Sequence, residues 1–306
     1  MKIRIGTRRS PLALAQANLL ASSIEADCEI VEFVTTGDQK QSLGEGITRD
    51  KKDWIFELEQ ALLSNKIDCA IHSAKDIPVL IADGTSLLPV LKRESPNDLL
   101  ISKKSIDLKH HSIKIGTSSL RRIAQLTLFN PNLQIVSLRG NINTRIGRLD
   151  KDFDAIILAH AGVRRLEVVR TSEKEHQFTE LDLKEFIPAS NQGILACQFL
   201  RDHEVSRILE KFVDLDTKIA FEVERKLVEI LGADCHSAVG IYCDIKNGRV
   251  NLNAVVYSSN KDISAPIKFP LIQFISCQKS SSVAEYEVLA QSVADDLIAR
   301  GVEEYL

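Results

Sequence analysis

Over roughly the first 160 residues the apolar positions keep switching between the period of a strand and that of a helix, which constrains the fold more than anything else in the chain. Ile3 and Ile5 alternate with Lys2 and Arg4 as in a strand, and Ala13, Ala17, Leu20 and Ile24 then follow at helical spacing. Ser10-Pro11 opens that helix, because proline suits a first helical turn. Glu29–Val34 reads as the next strand, Ile55, Leu58 and Leu62 mark a helix, and Cys69–Ile71 is a short buried strand. Arg93-Glu-Ser-Pro-Asn-Asp98 is a crossing into a second α/β unit, with strands at Leu99–Ser102, Lys114–Gly116, Gln134–Leu138 and Asp154–Ala159. That unit echoes the first: Ile5-Gly-Thr7 precedes Ala15-Gln16, and Ile115-Gly-Thr117 precedes Ala124-Gln125. Gly37 to Asp53 is polar and without apolar periodicity, as expected of a mobile functional loop.

After about Thr217 the pattern changes to that of a small α+β domain. Lys218–Leu231 is an amphipathic helix, and Val239–Ile245 and Val250–Tyr257 flank Lys246-Asn-Gly-Arg249, whose Asn-Gly is a strong hairpin signal. A strand near Leu271–Ser276 and a helix over Val283–Arg300, stopped by Gly301, complete it.

Charge excludes some classes of function. Lys and Arg number 39 against 42 Asp and Glu, a net −3 with no basic excess for nucleic acid. No apolar run approaches the ~20 uncharged residues of a membrane span. Leu12–Ala21 after Arg8-Arg9 looks superficially like a signal segment, but Gln16 and Asn18 interrupt it and Pro11 stands at its start. A cytoplasmic protein is therefore expected. Cys28, Cys69, Cys197, Cys235, Cys243 and Cys277 show no CxxC or metal spacing and read mostly as buried thiols.

The arginines are the anomaly. Arg8 and Arg9 lie just before the helix signal at Ser10-Pro11, and Arg121 and Arg122 fall in the first turn after Thr117-Ser-Ser119. Arg139 and Arg145 surround Gly140-Asn-Ile-Asn-Thr144, and Arg164-Arg165 follow Ala161-Gly162. Cations at helix N-termini are unfavourable by ~0.3–1 kcal/mol each. An anion seated between them and the free backbone N–H groups removes the conflict, and the turns follow strand ends, where open α/β sheets bind ligands. Four such turns imply a ligand with several carboxylates or phosphates. Lys75-Asp76 follow the strand at Cys69–Ile71; a carboxylate facing a polyanion site is costly unless the reaction itself produces a cation. Cys235 stands in a helix-to-strand loop, where a lone cysteine is more often an inert thiol than a nucleophile.

Several segments resemble the porphobilinogen deaminase (hydroxymethylbilane synthase) family over nearly the full chain. They are Gly6-Thr-Arg-Arg-Ser-Pro-Leu-Ala-Leu-Ala-Gln16, Glu57-Leu-Glu-Gln-Ala-Leu62, His72-Ser-Ala-Lys-Asp-Ile-Pro78 and Arg93-Glu-Ser-Pro-Asn-Asp98. Gly116-Thr-Ser-Ser-Leu-Arg-Arg122, Ser137-Leu-Arg-Gly-Asn141, Asp154-Ala-Ile-Ile-Leu158 and Gln192-Gly193 continue the match, with Glu224-Arg225 and the surroundings of Cys235 beyond. The resemblance implies an α/β fold of two periplasmic-binding-protein-like domains plus a small C-terminal α+β domain. Its divisions would be 1–92 with a returning segment near 190–212, then 97–187, then 216–306.

By the same resemblance, four porphobilinogen molecules are condensed head to tail into hydroxymethylbilane with release of ammonia. A dipyrromethane cofactor is joined by a thioether to Cys235. Asp76 and Lys75 would be catalytic, and Lys75, Ser119, Arg121, Arg122 and Arg139 would hold the cofactor. Arg8, Ser10, Lys51, Gln192, Arg145 and Arg165 would bind substrate, in a monomer that contacts neither nucleic acid nor membrane. Two departures from the family pattern are Ala233-Asp234 before the cysteine with Ala238 after it, and Arg49-Asp-Lys-Lys-Asp-Trp54 in place of a glycine-rich segment. Trp54 stands at that segment's aromatic position. The competing expectations are a non-catalytic two-domain small-anion-binding protein, and Lys75 as a Schiff-base lysine for pyridoxal phosphate. Neither accounts for Cys235.

Overall fold

The computed structural model describes residues 2–42, 51–110, 112–168, 175–233, 237–258 and 273–306. The chain forms two compact units, Met1–Glu94 with Gln192–Glu222, and Ser95–Asn191 with Val223–Leu306.

Strands are numbered in chain order. The first unit contains β1 (Ile3–Arg8), β2 (Cys28–Phe33), β3 (Cys69–Ser73), β4 (Thr85–Val90) and, from the returning segment, β10 (Leu195–Leu200). They form a sheet in the order β2-β1-β3-β10-β4, with β1 parallel to β2 and β3, and β10 antiparallel to β3 and β4. The helix Pro11–Ser23 follows β1 as its sequence signals require: Ser10 caps it and Pro11 takes its first position. Ala17 and Leu20 join Ile3, Ile5, Ile71, Leu195 and Cys197 in one core, and the helix Phe56–Leu63 builds another from Leu58, Ala61 and Leu62 with Ile67 and Ala70. Gly6 makes that packing possible, since a Cβ there would stand 2.3 Å from Ile67 Cδ1.

The second unit contains β5 (Asp98–Ser102), β6 (Lys114–Gly116), β7 (Gln134–Val136), β8 (Ala155–Ala159) and β9 (Gln177–Glu180). Their order is β7-β6-β8-β5-β9, with β6 parallel to β7 and β8, and β5 antiparallel to β8 and β9. The two sheets thus share one spatial order and strand sense, although the fourth strand comes last in the chain in the first sheet and first in the second. The Gly-Thr and Ala-Gln echoes occupy matching places in that order. The same unit holds the antiparallel β11 (Ala238–Lys246), β12 (Arg249–Tyr257) and β13 (Phe274–Ser282), against which the helix Leu289–Ala299 packs. Lys246 pairs with Arg249 across a two-residue turn in which Asn247 and Gly248 have φ of 53° and 71°, the conformation that Asn-Gly favours.

The helix Leu215–Leu231 contains the unit boundary and ends on Gly232 at φ +62°. In its C-terminal half, Glu224 is fully buried and accepts from the backbone N–H groups of Asn191 and Cys243.

The elements differ from expectation in a few places. The stretch from Gly37 to Asp53 carries part of a helix, Thr36–Ser42, and most of a 3₁₀ turn, Lys51–Trp54; residues 43–50 of it lie outside the described residues. The last helix begins at Leu289, because Val283–Val288 is a 3₁₀ segment broken at Glu285. β13 lies at Phe274–Ser282, C-terminal to the expected strand, and β4 and β9 have no clear apolar alternation to announce them.

Candidate functional site

In the first unit β3 runs buried to Ser73 and turns through a single 3₁₀ turn, Ala74–Asp76. The turn is pinned by Ala74 N–H donating to the Ile194 carbonyl at 3.0 Å and Ile77 N–H to the Ala74 carbonyl at 3.2 Å. Lys75 is half-buried, its Nζ donating to Gln192 Oε1 at 3.3 Å. Gln192 is 1% exposed, and its carbonyl accepts from Arg93 Nε at 2.9 Å. Asp76 is exposed between the buried Ala74 and Ile77. Beneath the turn His72 is buried, and its Nε2 has no hydrogen-bond partner among the described residues. Burial, and then the positive charge of Arg8, lower its pKa to about 4, so the imidazole is neutral.

Arg8 ends β1. Its Nε donates to Asp38 Oδ2 at 3.4 Å and its Nη2 to Oδ1. Asp38 Oδ2 also accepts from the Thr35 N–H at 3.2 Å and hydroxyl at 2.7 Å. Burial pushes the Asp38 carboxyl up, but the Arg8 guanidinium and the Thr35 hydrogen bonds outweigh it and hold the group below the usual carboxylate range. Ser10 Oγ accepts from Ala13 N–H at 3.3 Å as the helix cap, which leaves its own O–H free to donate.

In the second unit Ser119 caps the helix Leu120–Phe129 by accepting from Arg122 N–H at 3.5 Å. The two arginines that follow depart from the expectation of surface cations waiting for a ligand. Arg121 and Arg122 are 5% and 7% exposed, and both bind Asp98, the fully buried first residue of β5. Arg121 Nη1 donates to Asp98 Oδ2 at 2.8 Å, and also to Gln125 Oε1 and the Ile187 carbonyl. Arg122 Nη2 donates to Asp98 Oδ1 at 2.7 Å and its Nη1 to the Ile157 carbonyl at 2.9 Å. The anion at this helix start is thus the protein's own. Burial alone would raise the Asp98 pKa, but two guanidinium charges hold it far below the carboxylate range. Burial lowers the Arg121 pKa, against the opposing pull of Asp98. Nε and Nη2 of Arg121 make no hydrogen bond among the described residues, and Arg122 Nε is buried without a partner.

Arg139 is exposed, ahead of Gly140 at φ +111°. Asn141 caps the helix Ile142–Asp152, in whose first turn Arg145 Nε donates to the Gly140 carbonyl at 2.6 Å. Arg164 and Arg165 fall at the wrong end for the dipole reasoning. The helix His160–Arg165 starts directly after β8 and lasts six residues, so both lie in its last turn, where cations are favoured. The side chain of Lys51 and the whole of Asp234, Cys235 and His236 lie outside the described residues.

Sequence reasoning missed Asp38, Asp98 and His72 as parts of these turns. Asp38 lies in the polar stretch from Gly37 to Asp53, Asp98 ends the crossing Arg93–Asp98, and nothing local marks His72 as a buried neighbour of Arg8.

A family model described as "Porphobilinogen deaminase, dipyromethane cofactor binding domain" matches residues 3–207. A porphobilinogen deaminase of Caldicellulosiruptor saccharolyticus is 34% identical, over 90% of this chain and 96% of the relative, and one of Campylobacter hominis is 34% identical over 100% and 97%. A probable porphobilinogen deaminase of Thermoplasma volcanium is 40% identical over 79% and 80%. Among solved structures, the VFT2 domain of Bordetella pertussis BvgS aligns with TM-score 0.41 and 15% identity, over 69% of this chain and 85% of that one.

Proposed function

Because the chain belongs to the porphobilinogen deaminase family, we propose a division of labour among its residues for that family's reaction. The chain is a transferase of tetrapyrrole biosynthesis that condenses porphobilinogen into hydroxymethylbilane and uses a dipyrromethane cofactor. The cofactor, joined by a thioether to Cys235, supplies the pyrrole end to which the first substrate unit is attached. The donors fit a group that carries several carboxylates. In the second unit these are the Ser119 hydroxyl, the exposed Arg139, and Nε and Nη2 of Arg121 with Nε of Arg122, which make no hydrogen bond among the described residues; in the first unit, Lys75. Arg8, Ser10, Lys51 and Gln192 of the first unit, and Arg145 and Arg165 of the second, take the acetate and propionate groups of substrate. Three domains divide this work, at 1–92 with 190–212, 97–187 and 216–306.

Asp76 does the electrostatic work. Loss of ammonia from porphobilinogen leaves a cation, and a fixed carboxylate stabilises it while accepting from a pyrrole N–H. The observation that carries this role is the pinned turn, which buries Ala74 and Ile77 and exposes the carboxylate between them. Lys75, held by Gln192, orients a carboxylate of the reacting unit. A non-catalytic anion binder would have no use for an exposed Asp76. We further place the protein in the cytoplasm as a monomer acting on small molecules and not on nucleic acid, in keeping with its net charge of −3. No helix among the described residues is long and apolar enough to cross a membrane.

The test is intact mass combined with single-turnover kinetics. Purified protein carries the dipyrromethane mass on Cys235, and Cys235→Ser lacks it and is inactive. Asp76→Asn binds substrate but turns over about 10²–10³ more slowly. An unmodified Cys235 in active protein, or near-normal single turnovers in Asp76→Asn, would overturn these roles.

A further inference from the structure

Arg8 has a neighbour that the site's chemistry does not explain. Trp54, the one tryptophan of the chain, closes the turn Lys51–Trp54, and its ring centroid lies 4.2 Å from the Arg8 guanidinium carbon. This is cation–π distance. Gly37 completes the seat, because a Cβ there would come within 2.5 Å of the indole. A ring serving only as core cover would sit among apolar side chains; this one is half-exposed and lies against a glycine and a cation.

The guanidinium is thus constrained in two ways. Asp38, itself fixed by Thr35, takes the edge that holds Nε and Nη2, and the indole takes a face. Nη1 makes no hydrogen bond among the described residues, and the Arg8 side chain is 22% exposed. An arginine held by one edge and one face can turn only its remaining edge to a ligand, and that edge suits a carboxylate.

We propose that Trp54 is a positioning residue for Arg8, presenting its free guanidinium edge to one carboxylate of the pyrrole substrate, so that Trp54 emission reports the filling of that position. The inference rests on the reading of Arg8 as a substrate-carboxylate ligand. Its consequence is a binding effect: a mispositioned Arg8 weakens ground-state and transition-state binding alike, which raises KM and leaves kcat nearly unchanged.

The experiment uses the cofactor-loaded enzyme. Trp54→Leu raises KM for porphobilinogen about ten-fold with kcat within about two-fold, and Trp54→Phe, which keeps an aromatic face, stays within about three-fold of wild-type KM. A pyrrole bearing acetate and propionate but no aminomethyl group binds without reacting; it shifts the wild-type emission and leaves that of Arg8→Gln unshifted. An unchanged KM in Trp54→Leu, or an emission shift that persists in Arg8→Gln, overturns the proposal. If Trp54→Leu does not fold, Trp54→Phe decides: a fall in kcat at constant KM counts against it. The emission of ligand-free Arg8→Gln, compared with wild type, tests the stack even in a protein that consumes no porphobilinogen, which separates failure of this inference from failure of the assigned reaction.

Discussion

The two units build the same spatial strand order with opposite chemistry. Each sheet has one strand, β1 or β6, that leads through Gly-Thr to a serine-capped helix, and each helix carries a buried glutamine six residues beyond its cap, Gln16 after Ser10 and Gln125 after Ser119. Each also has an antiparallel strand whose early residue faces the end of its neighbour: Leu195 opposite Ser73 in the first unit, Asp98 opposite Ala159 in the second. Two and three residues past the caps stand Leu12 and Ala13 in one unit, Arg121 and Arg122 in the other. The first unit therefore has Leu12, Ala13 and Leu195 where the second has Arg121, Arg122 and Asp98. Since the fold closes with apolar residues at these places, the ion triad is not a requirement of topology. Buried ion pairs are weak sources of net stability compared with apolar groups of similar volume. What the triad adds is two guanidinium groups held in fixed orientation at a helix start.

The sharpest way to break this comparison is to remove one charge and then all three. Asp98→Asn leaves two buried cations without a counter-charge and costs roughly 3–5 kcal/mol. The triple variant Asp98→Leu, Arg121→Leu, Arg122→Ala copies the first unit and recovers most of that loss in urea unfolding, yet lacks the dipyrromethane mass. A triple variant that unfolds as easily as Asp98→Asn would show the triad to be structural after all. Cofactor loading in the triple variant would remove it from the site.

A second contrast concerns how each unit hides a titratable group. The second keeps Asp98 charged by pairing it with two arginines, and the first keeps His72 neutral by burial and the nearby positive charge of Arg8, which together outweigh Gln198 and Asp76. The folded His72 pKa of about 4 lies below its ordinary 6.5, so the unfolded chain binds the proton more readily. Stability linked to His72 is therefore complete above pH 6.5 and falls as pH drops toward 4, by about 3 kcal/mol in all. Denaturant unfolding at pH 7 and pH 4.5 should show a steeper loss in wild type than in His72→Asn. Parallel losses would mean that the imidazole finds a partner when it is charged.

Much of this was legible in the sequence because period and caps are local. Ser10-Pro11, Lys246-Asn-Gly-Arg249 and Gly301 each fix a boundary through the conformations that single residues allow, and all three stand where expected. The arginines at turns were visible as well, but their partners were not. Asp98 precedes Arg121 and Arg122 by more than twenty residues, and only the strand pairing brings them together. The place of Arg164 and Arg165 in their helix is hidden for a related reason: the helix after β8 starts at His160 and ends on Arg165, and no cap residue marks where it begins. Dipole reasoning from sequence is only as good as the helix boundary it assumes.

The smallest effect belongs to the first unit's own ion pair. Asp38 meets Arg8 with both side chains partly exposed, at 19% and 22%, whereas Asp98 meets its arginines in full burial. Water compensates part of any charge lost there, so Asp38→Asn is expected to cost about 1 kcal/mol at pH 7, well short of the cost of Asp98→Asn. The sign with pH follows from the lowered Asp38 pKa: its contribution is present above the unfolded carboxylate value near 4 and fades as pH falls through the lower folded value. Wild type and Asp38→Asn should therefore differ at pH 7 and converge in acid. Salt should shrink the difference at pH 7, since this pair, unlike the buried triad, is open to screening. Equal costs for Asp38→Asn and Asp98→Asn, or a difference that ignores salt, would mean that the pair at Arg8 is as closed to water as the one in the second unit.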